Sequence, residues 1–352
     1  MKPWEKYIRK VVPYVPGEQP QGSRLIKLNT NENPYPPSPL VTKALKEMDG
    51  EAFRKYPDPA ASMLTSELAK AYRVNPDQIF VGVGSDDVLG MAFLTFFNSE
   101  KPILFPDITY SFYPVWADLF RIPYETPALD PDFRIRKEDY FRENGGIIFP
   151  NPNAPTGLEM DLCEIKEILQ HNPDVVVIID EAYIDFGAES ALPLIETYEN
   201  LLIVQTFSKS RSMAGMRIGY AIGHPDLIQA MSDVKYSYNS YTMNLPSILL
   251  GTQAVRDEAY FRETLKRIVK TREETKVWMR ELGFEFPDSK ANFLFVTHKQ
   301  VPAEEIFKAL KGEQIYVRYF KKKGLDQYLR ITIGTDEEMA VLRRFLEKFF
   351  RL

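Results

Sequence analysis

From about residue 75, short apolar runs rich in β-branched residues alternate with amphipathic segments, and this alternation restricts the possible folds more than any other feature. A run such as residues 175–179 (Val-Val-Val-Ile-Ile) is apolar on both faces of a strand, which is typical of parallel strands covered by helices. The sequence therefore predicts a mostly parallel α/β sheet. The predicted strands are residues 79–83, 102–105, 146–149, 175–179, 201–206 and 217–222, and the predicted helices are residues 85–98, 109–120, 161–170 and 225–234.

The segments before and after this region have different patterns. The first 40 residues carry eight prolines, which predict an extended arm laid over another surface. Residues 244–282 predict one long helical stretch, and the strands and helices after it are fewer. We therefore expect an N-terminal arm (residues 1–40), a large α/β domain (41–245) and a smaller α+β domain (246–352) that packs with part of the arm.

Composition and charge exclude several kinds of site. The 44 basic and 49 acidic residues give a net charge of −5, which argues against a general nucleic-acid binder. A single cysteine, Cys163, excludes an intramolecular disulfide, and three dispersed histidines argue against a metal site. Neither a membrane-spanning apolar run nor a secretion signal is present in the sequence, so we expect a cytoplasmic protein without a membrane partner.

The densest group of candidate residues follows the strand predicted over residues 201–206. Lys209 stands between the hydroxyls of Ser208 and Ser210, and Arg217 comes eight residues later. A lysine removed from water has a lowered pKa and can form a Schiff base with an aldehyde. The hydroxyls of Thr206 and Ser208, with Arg217, can hold a phosphate dianion. This segment alone also fits a solvated loop lysine.

Three further segments follow other predicted strands of the sheet. Asp180 ends the run 175–179, where a carboxylate can pair with a pyridinium nitrogen or serve as a helix cap. Residues 82–87 (Gly-Val-Gly-Ser-Asp-Asp) can bring backbone amides to a phosphate, although an ordinary capped turn explains them too. Residues 151–157 (Asn-Pro-Asn-Ala-Pro-Thr-Gly) form either an amide-presenting turn or a simple rigid turn.

Together, in this order, these segments resemble the pyridoxal-phosphate enzymes of the aspartate-aminotransferase superfamily (fold type I). The chain is more closely similar to the histidinol-phosphate aminotransferase family. This resemblance implies a large, mostly parallel sheet domain with a smaller α+β domain, and pyridoxal 5'-phosphate as cofactor. The matching motifs are residues 28–34, 56–58, 84–86, 109–111, 180–183, 208–209, 217–220, 291–293 and 329–334.

The resemblance also implies roles for individual residues. Lys209 forms the Schiff base and acts as the general base, Asp180 binds the pyridine nitrogen, and Tyr183 binds the 3-hydroxyl of the ring. Tyr110 stacks on the ring face. The implied phosphate-binding residues are Ser85, Asp86, Thr206, Ser208 and Arg217, together with Tyr56, which reaches the phosphate held by the partner subunit and so implies a homodimer with shared active sites. The implied substrate-binding residues are Tyr14, Arg318 and Arg330.

One position departs from the pattern of the family. Ala154 stands where the family has an asparagine that donates to the ring 3-hydroxyl. Either Asn153 substitutes for it or Tyr183 makes the contact alone. Losing one hydrogen bond to a charged group costs about 1.5–3 kcal/mol unless another bond compensates for it.

The activity implied by the resemblance is transamination between L-histidinol phosphate and 2-oxoglutarate in histidine biosynthesis. An aromatic amino-acid aminotransferase, with Arg330 on a true α-carboxylate, is the alternative on the same scaffold. A threonine-phosphate decarboxylase is a more distant one. A cofactor-sensing regulator would need a DNA-binding domain, and an arm of about 40 residues is too short for one.

Overall fold

Two β-sheets organise the structure, which is a computed structural model that describes residues 2–22 and 25–350. The described strands are β1 (Ile26–Leu28), β2 (Ile79–Gly82), β3 (Ile103–Leu104), β4 (Tyr124–Glu125), β5 (Ile147–Pro150), β6 (Val177–Asp180), β7 (Leu201–Thr206), β8 (Gly219–Gly223), β9 (Phe284–Glu285), β10 (Phe293–His298), β11 (Ile315–Tyr319) and β12 (Leu329–Thr332). The described α-helices are α1 (Pro39–Lys46), α2 (Ser62–Tyr72), α3 (Gly84–Phe96), α4 (Tyr113–Phe120), α5 (Leu162–His171), α6 (Pro225–Tyr238), α7 (Leu245–Arg256), α8 (Glu258–Glu281), α9 (Ala303–Gly312) and α10 (Asp336–Phe350). The predicted arm and C-terminal domain also include residues 1, 23, 24, 351 and 352, which lie outside the described residues.

The larger sheet is built from the short apolar runs between residues 79 and 223. Its strand order over the described residues is β2-β8-β7-β6-β5-β3-β4, with β8 antiparallel to both neighbours and the remaining pairs parallel. Alternate residues of β6 and β7 face opposite sides: Ile179 and Ile203 belong to one apolar cluster, and Ile178 and Leu202 to another. Burial on both faces confirms the mostly parallel, helix-covered sheet predicted from the sequence.

The smaller sheet has the order β1-β11-β12-β10-β9 in the described part of the chain. The arm strand β1 pairs in parallel with β11, and the other neighbours are antiparallel. Helices α8, α9 and α10 pack against this sheet through Ile268, Ile306 and Leu342, among others. A mostly antiparallel sheet with its own helices confirms the smaller α+β unit that was predicted.

Helix α7 packs with the larger sheet, although the prediction assigns residues from 246 onward to the smaller domain. Ile248 and Leu250 of α7 lie in the same cluster as Ile203 of β7. The prediction of one helical stretch over 244–282 is wrong, because the carboxylate of Asp257 accepts a hydrogen bond from the amide of Tyr260 and starts a second helix. The division of the chain at residues 40 and 245 stays a proposal.

Two predicted elements next to the sheet edge begin later than expected. The helix predicted from residue 109 begins at Tyr113, and the strand predicted from residue 217 begins at Gly219. Arg217 itself has a left-handed backbone, with φ of 52°, which a strand does not accommodate. Tyr110 and Arg217 therefore both lie on loops. Among the described residues, none of the helices combines the length and apolar character needed to cross a membrane.

Candidate active site

One cavity lies at the carboxyl ends of β6 and β7, beside the start of α3, and it gathers most of the residues predicted for the site. Strands that run in parallel bring their carboxyl ends to one edge of the sheet, where α/β proteins bind ligands. Side chains that are far apart in sequence meet there for this reason. The predicted residues that line the cavity are Ser85, Asp86, Tyr110, Asp180, Tyr183, Thr206, Ser208, Lys209 and Arg217.

Lys209 follows β7 closely and is half-buried in this cavity. Its Nζ donates a hydrogen bond to the backbone oxygen of Thr30 at 3.1 Å. Burial away from water, reinforced by the positive charge of Arg330, lowers the pKa of Lys209 to about 8. About a tenth of such a lysine is uncharged at pH 7, far more than of an ordinary lysine, and the uncharged amine can attack an aldehyde.

Asp180 ends β6 and has 4% of its surface exposed. Its Oδ2 accepts a hydrogen bond from the hydroxyl of Tyr113 at 2.9 Å, and its Oδ1 accepts one from the amide of Ala182 at 3.2 Å. Burial raises the pKa of Asp180 to about 6. Both of these described partners are neutral, so a protonated pyridine nitrogen would be a cation that stabilises the buried carboxylate.

The start of α3 and the start of β8 approach each other at two glycines. Gly84 has φ of +82°, and a Cβ at this position would lie 2.5 Å from Nη2 of Arg217. A Cβ on Gly219 would overlap the backbone of Gly84 and Ser85. Because both positions lack a side chain, the first amides of α3 lie beside the guanidinium of Arg217.

Hydroxyl groups complete this end of the cavity. The hydroxyl oxygens of Thr206 and Ser208 lie 3.0 Å apart, and Nη1 of Arg217 lies 3.5 Å from the Ser208 oxygen. Nη2 of Arg217 pairs with Oδ2 of Asp86 at 3.2 Å. Helix-start amides, hydroxyls and a guanidinium are the donors that proteins use to bind phosphate.

Two tyrosines line the middle of the cavity. Tyr110 donates a hydrogen bond to Oδ1 of Asp86 at 2.8 Å. The hydroxyl oxygen of Tyr183 accepts a hydrogen bond from Nδ2 of Asn31, also at 2.8 Å. Burial raises the pKa of both hydroxyls, so each keeps its proton at neutral pH and can donate it in a hydrogen bond.

Arg318 and Arg330 line a second hollow that adjoins the first and shares Lys209 and Tyr183 with it. The two arginines are direct partners in the antiparallel register of β11 and β12. Like charges placed opposite each other on neighbouring strands repel. An anion bound between them would offset that repulsion. Tyr14, the third predicted substrate residue, lines the same hollow.

Arg330 also has a buried hydrogen-bond donor that lacks an acceptor among the described residues. Its Nη2 donates to the backbone oxygen of Asn29 at 3.2 Å, whereas its buried Nε has no hydrogen-bond partner among the described residues. Burial lowers the pKa of Arg330, and the charge of Arg318 lowers it further. A buried donor without an acceptor is costly, and an anionic ligand would satisfy it.

Asn153 does not point a free polar group into the cavity with Lys209. Its Oδ1 accepts a hydrogen bond from the hydroxyl of Thr109 at 3.1 Å, and its Nδ2 donates to the backbone oxygen of Ile108 at 3.0 Å. Because the neighbouring loop binds both ends of the carboxamide, this geometry does not support Asn153 as a substitute for the asparagine absent at Ala154. Ala154 itself lines the cavity.

Tyr56 lies outside the cavity of its own chain. Its side chain is 81% exposed and packs against Tyr241, with 4.6 Å between the ring centroids. An exposed tyrosine can contact a second subunit. The structure of one chain does not show whether Tyr56 makes such a contact. The completion of a neighbouring active site by Tyr56 therefore stays a prediction.

Some residues that contact the site were given no role by the sequence analysis. Thr30 and Asn31 contact Lys209 and Tyr183, and Tyr113 holds Asp180. The run of polar side chains over residues 29–33, directly after β1, could have indicated hydrogen bonds to the site, because three of these five residues are asparagines. Tyr113 is three residues after Tyr110, a spacing that would place both on one face of the helix predicted over residues 109–120.

Comparisons with known proteins agree on one family. A family model described as aminotransferase class I and II matches residues 23–346. The chain is 49% identical over 348 residues to a histidinol-phosphate aminotransferase of Lactococcus lactis subsp. cremoris (strain MG1363), covering 99% of this chain and 98% of that protein. It is 51% identical over 341 residues to a histidinol-phosphate aminotransferase of Brachyspira hyodysenteriae, covering 97% of this chain and 96% of that protein.

Solved structures show the same fold. A putative histidinol-phosphate aminotransferase from Erwinia carotovora atroseptica has a TM-score of 0.85 at 24% identity, covering 93% of this chain and 96% of that one. The histidinol-phosphate aminotransferase from Sinorhizobium meliloti, solved in complex with pyridoxal-5'-phosphate, has a TM-score of 0.84 at 24% identity, covering 93% and 91%. These likenesses confirm the predicted fold type I architecture. Since the family model and the relatives near 50% identity span nearly the whole chain, the protein belongs to the class I and II aminotransferase family.

Proposed function

We propose that this aminotransferase moves the amino group of L-histidinol phosphate to 2-oxoglutarate, with pyridoxal phosphate as cofactor, as a step of histidine biosynthesis. The observation that carries the proposal is the pair Arg318 and Arg330 next to Lys209. A lysine suited to hold an aldehyde stands beside two cations suited to a dianion. The relatives near 50% identity are named for the same activity, which supports the proposal.

The cavity fits pyridoxal phosphate at each of its polar groups. The buried carboxylate of Asp180 would keep the ring nitrogen protonated, and Tyr183 would donate to the oxygen on the ring. Tyr110 would pack on the ring face. The residues that would hold the phosphate are Ser85, Asp86, Thr206, Ser208 and Arg217. When bound, the cofactor supplies an aldehyde that takes up the amino group and a ring that accepts electrons from the substrate.

The protein itself moves the proton, and Lys209 is placed to do it. When Nζ of Lys209 is not bonded to the cofactor, it would be available as a base, because burial lowers its pKa. It would accept the proton from the carbon that bears the substrate amine and return it to the former aldehyde carbon of the cofactor, a 1,3 shift past the nitrogen. Asp180 would stay ionised and keep the ring nitrogen protonated.

Arg318 and Arg330 would bind the anionic end of each substrate in turn. The phosphate of histidinol phosphate is a dianion, and two guanidinium groups give it more charge-assisted hydrogen bonds than one could. The same pair can bind a carboxylate of 2-oxoglutarate in the second half of the reaction. Tyr14 lies in this hollow with its ring stacked on Phe112, with 4.6 Å between the ring centroids.

We also propose that the protein works as a homodimer in which Tyr56 completes the phosphate site of the partner subunit. The support is the exposure of Tyr56 and its position outside the cavity of its own chain. The cytoplasmic location stays a prediction from the sequence.

A screen of amino donors tests the proposed reaction. Holoenzyme is mixed with histidinol phosphate, phenylalanine or O-phosphothreonine, and the absorbance of the bound cofactor is followed as it takes up the amino group. We expect histidinol phosphate to convert the cofactor at the lowest concentration, and 2-oxoglutarate to reverse the change. Faster conversion by phenylalanine would favour an aromatic aminotransferase, and release of carbon dioxide from O-phosphothreonine would favour a decarboxylase.

A further inference from the structure

Three consecutive residues of the N-terminal arm contact three different groups of the site. The backbone oxygen of Asn29 accepts a hydrogen bond from Arg330, and that of Thr30 accepts one from Nζ of Lys209. Asn31 uses its side chain instead: its Nδ2 donates to the hydroxyl oxygen of Tyr183 at 2.8 Å. Any amino acid can supply the two backbone contacts, so the identity of the residue matters most at position 31.

Asn31 is held in one orientation by contacts on several sides. Its backbone amide donates to the hydroxyl oxygen of Thr332 at 3.0 Å, and that hydroxyl donates its proton back to Oδ1 of Asn31 at 3.1 Å. The backbone oxygen of Asn31 accepts a hydrogen bond from Nδ2 of Asn292 at 3.0 Å. Only 1% of the residue is exposed. The hydroxyl proton of Thr332 needs an acceptor, and the oxygen of the carboxamide accepts it. The nitrogen of the carboxamide therefore faces Tyr183.

This arrangement decides where the Tyr183 proton can go. A hydroxyl that accepts a hydrogen bond from an amide must direct its own proton to another acceptor. Ala154, at the position where a second donor to the ring oxygen would stand, has no polar side-chain atom. Without an asparagine at position 154, the hydroxyl of Tyr183 is the contact that the resemblance to the family leaves for the oxygen on the cofactor ring.

We propose that Asn31 is a positioning residue: it occupies the accepting side of the Tyr183 hydroxyl and so turns the O–H proton into the cavity, toward the oxygen on the cofactor ring. This inference rests on the role proposed for Tyr183. It explains how one tyrosine can serve a ring oxygen that the family contacts through two side chains. It also connects the strand β12, which carries Arg330 and Thr332, to the cofactor end of the cavity.

The test is a pH titration of the absorbance of the bound cofactor in the holoenzyme. A donor on the ring oxygen stabilises the form of the cofactor that has lost its proton, so losing this donor moves the midpoint to higher pH. Asn31→Gly removes the carboxamide, and glycine accommodates the φ of 56° at this position. We expect the Asn31→Gly midpoint to rise by about half a unit to one unit.

A double-mutant cycle separates this effect from a general disturbance of the fold. Tyr183→Phe should raise the midpoint by itself, and Asn31→Gly should then add no further shift. Asn31→Asp is a second variant, in case the first fails to fold. Its carboxylate has the size of the amide but cannot donate a hydrogen bond. The rise in the midpoint caused by Asn31→Asp should therefore be larger in the protein with Tyr183 than in the Tyr183→Phe variant.

Asn29→Ala is the matched control within the same segment. Nδ2 of Asn29 donates to the backbone oxygen of Glu18 at 2.7 Å, so the change loosens the arm without touching Tyr183. Its midpoint should stay at the native value, and a shift as large as that of Asn31→Gly would overturn the inference. Equal shifts from the Asn31 variants with and without Tyr183 would overturn it too.

The cycle also distinguishes the inference from the role on which it rests. If Tyr183→Phe raises the midpoint and neither Asn31 variant does, the inference about Asn31 is wrong and the role of Tyr183 stands. If Tyr183→Phe leaves the midpoint unchanged, both are wrong.

Discussion

Arg318 and Arg330 face each other with like charges, and the buried Nε of Arg330 has no partner among the described residues. Neither feature helps the chain to fold, because repulsion and an unmet donor both cost free energy. Both would be relieved by a ligand with more than one negative charge. At the scale of single residues, these two features are therefore costs to the protein alone that an anionic ligand would offset.

Replacing Arg318 should reduce activity with a dianionic amino donor more than activity with an ordinary amino acid. We expect Arg318→Ala to lower kcat/KM for histidinol phosphate, because charge-assisted bonds to the phosphate are lost. The decrease should correspond to a loss of about 1.5–3 kcal/mol in transition-state binding. With phenylalanine as donor, Arg330 alone can bind the carboxylate, and the loss should be much smaller. Steady-state kinetics with both donors measure the two values. Equal small losses would show that Arg318 takes no part and would favour the aromatic aminotransferase.

The lowered pKa of Lys209 predicts how the cofactor-free protein captures pyridoxal phosphate at different pH. With a pKa of about 8 instead of 10.5, roughly a quarter of Lys209 is uncharged at pH 7.5, against about one in a thousand for an ordinary lysine. The uncharged amine is the nucleophile, so the capture rate should rise about tenfold per pH unit below 8 and level off above it.

Stopped-flow absorbance across a pH series measures this rate, and a free lysine derivative with a blocked α-amine is the reference. The rate for the reference should keep rising beyond pH 9. The same continued rise in the protein would show that Lys209 is an ordinary, solvated lysine.

At the scale of elements, the sequence could predict those parts of the site that follow strands of the larger sheet. Asp180 and Lys209 were found because their strands are apolar on both faces, which identifies parallel strands with a common carboxyl edge. The contacts of Asn31 could not be found in this way. They depend on β1 pairing with β11, far along the chain, and no local pattern specifies that register.

Packing of side chains also limited the prediction. The turn over residues 151–157 suggested amides directed at a ligand, yet the loop at Thr109 binds both ends of the Asn153 carboxamide. The break between α7 and α8 was missed because no glycine or proline lies within five residues of Asp257. Its capping contact is visible only in the folded chain.

Because α3 and β8 approach each other closely, alanine substitutions at two nearby glycines should have very different effects on the affinity for the cofactor. Gly219→Ala would place a methyl group in the backbone of Gly84 and Ser85 and push apart the amides and hydroxyls that would hold the phosphate. We expect its affinity for the cofactor to fall by about tenfold or more. Gly215→Ala is the matched control, since nothing lies within 4 Å of the added atom.

Titration of the cofactor-free proteins with pyridoxal phosphate, followed by absorbance, measures both affinities. Native affinity in Gly219→Ala would mean that this end of the cavity does not bind the phosphate.

At the scale of the whole molecule, the site lies where the two sheets and the arm meet. The larger sheet contributes Lys209 and Asp180, the smaller sheet contributes the two arginines, and the arm crosses between them through Thr30. A change in the position of the smaller sheet would therefore move the arginines relative to Lys209.

Mixing a Tyr56→Phe variant with a Lys209→Ala variant tests whether active sites are shared between subunits. In a dimer of Tyr56→Phe with Lys209→Ala, one site has both native residues and the other has neither. Random exchange of subunits should restore about a quarter of all sites, because half of the dimers are mixed. The regained activity is measured after incubating the variants together, and light scattering should give twice the mass of one chain. Full activity in a monomer would contradict the shared site.

Chemical trapping of the cofactor tests the central claim most directly, namely that the cavity around Lys209 holds pyridoxal phosphate. Borohydride reduction of the holoenzyme converts the bond between the cofactor and its lysine into one that survives digestion. Peptide mass mapping should then find the pyridoxyl group on Lys209, and Lys209→Ala should lose that label. A label on any other lysine of the native enzyme would contradict the proposed site.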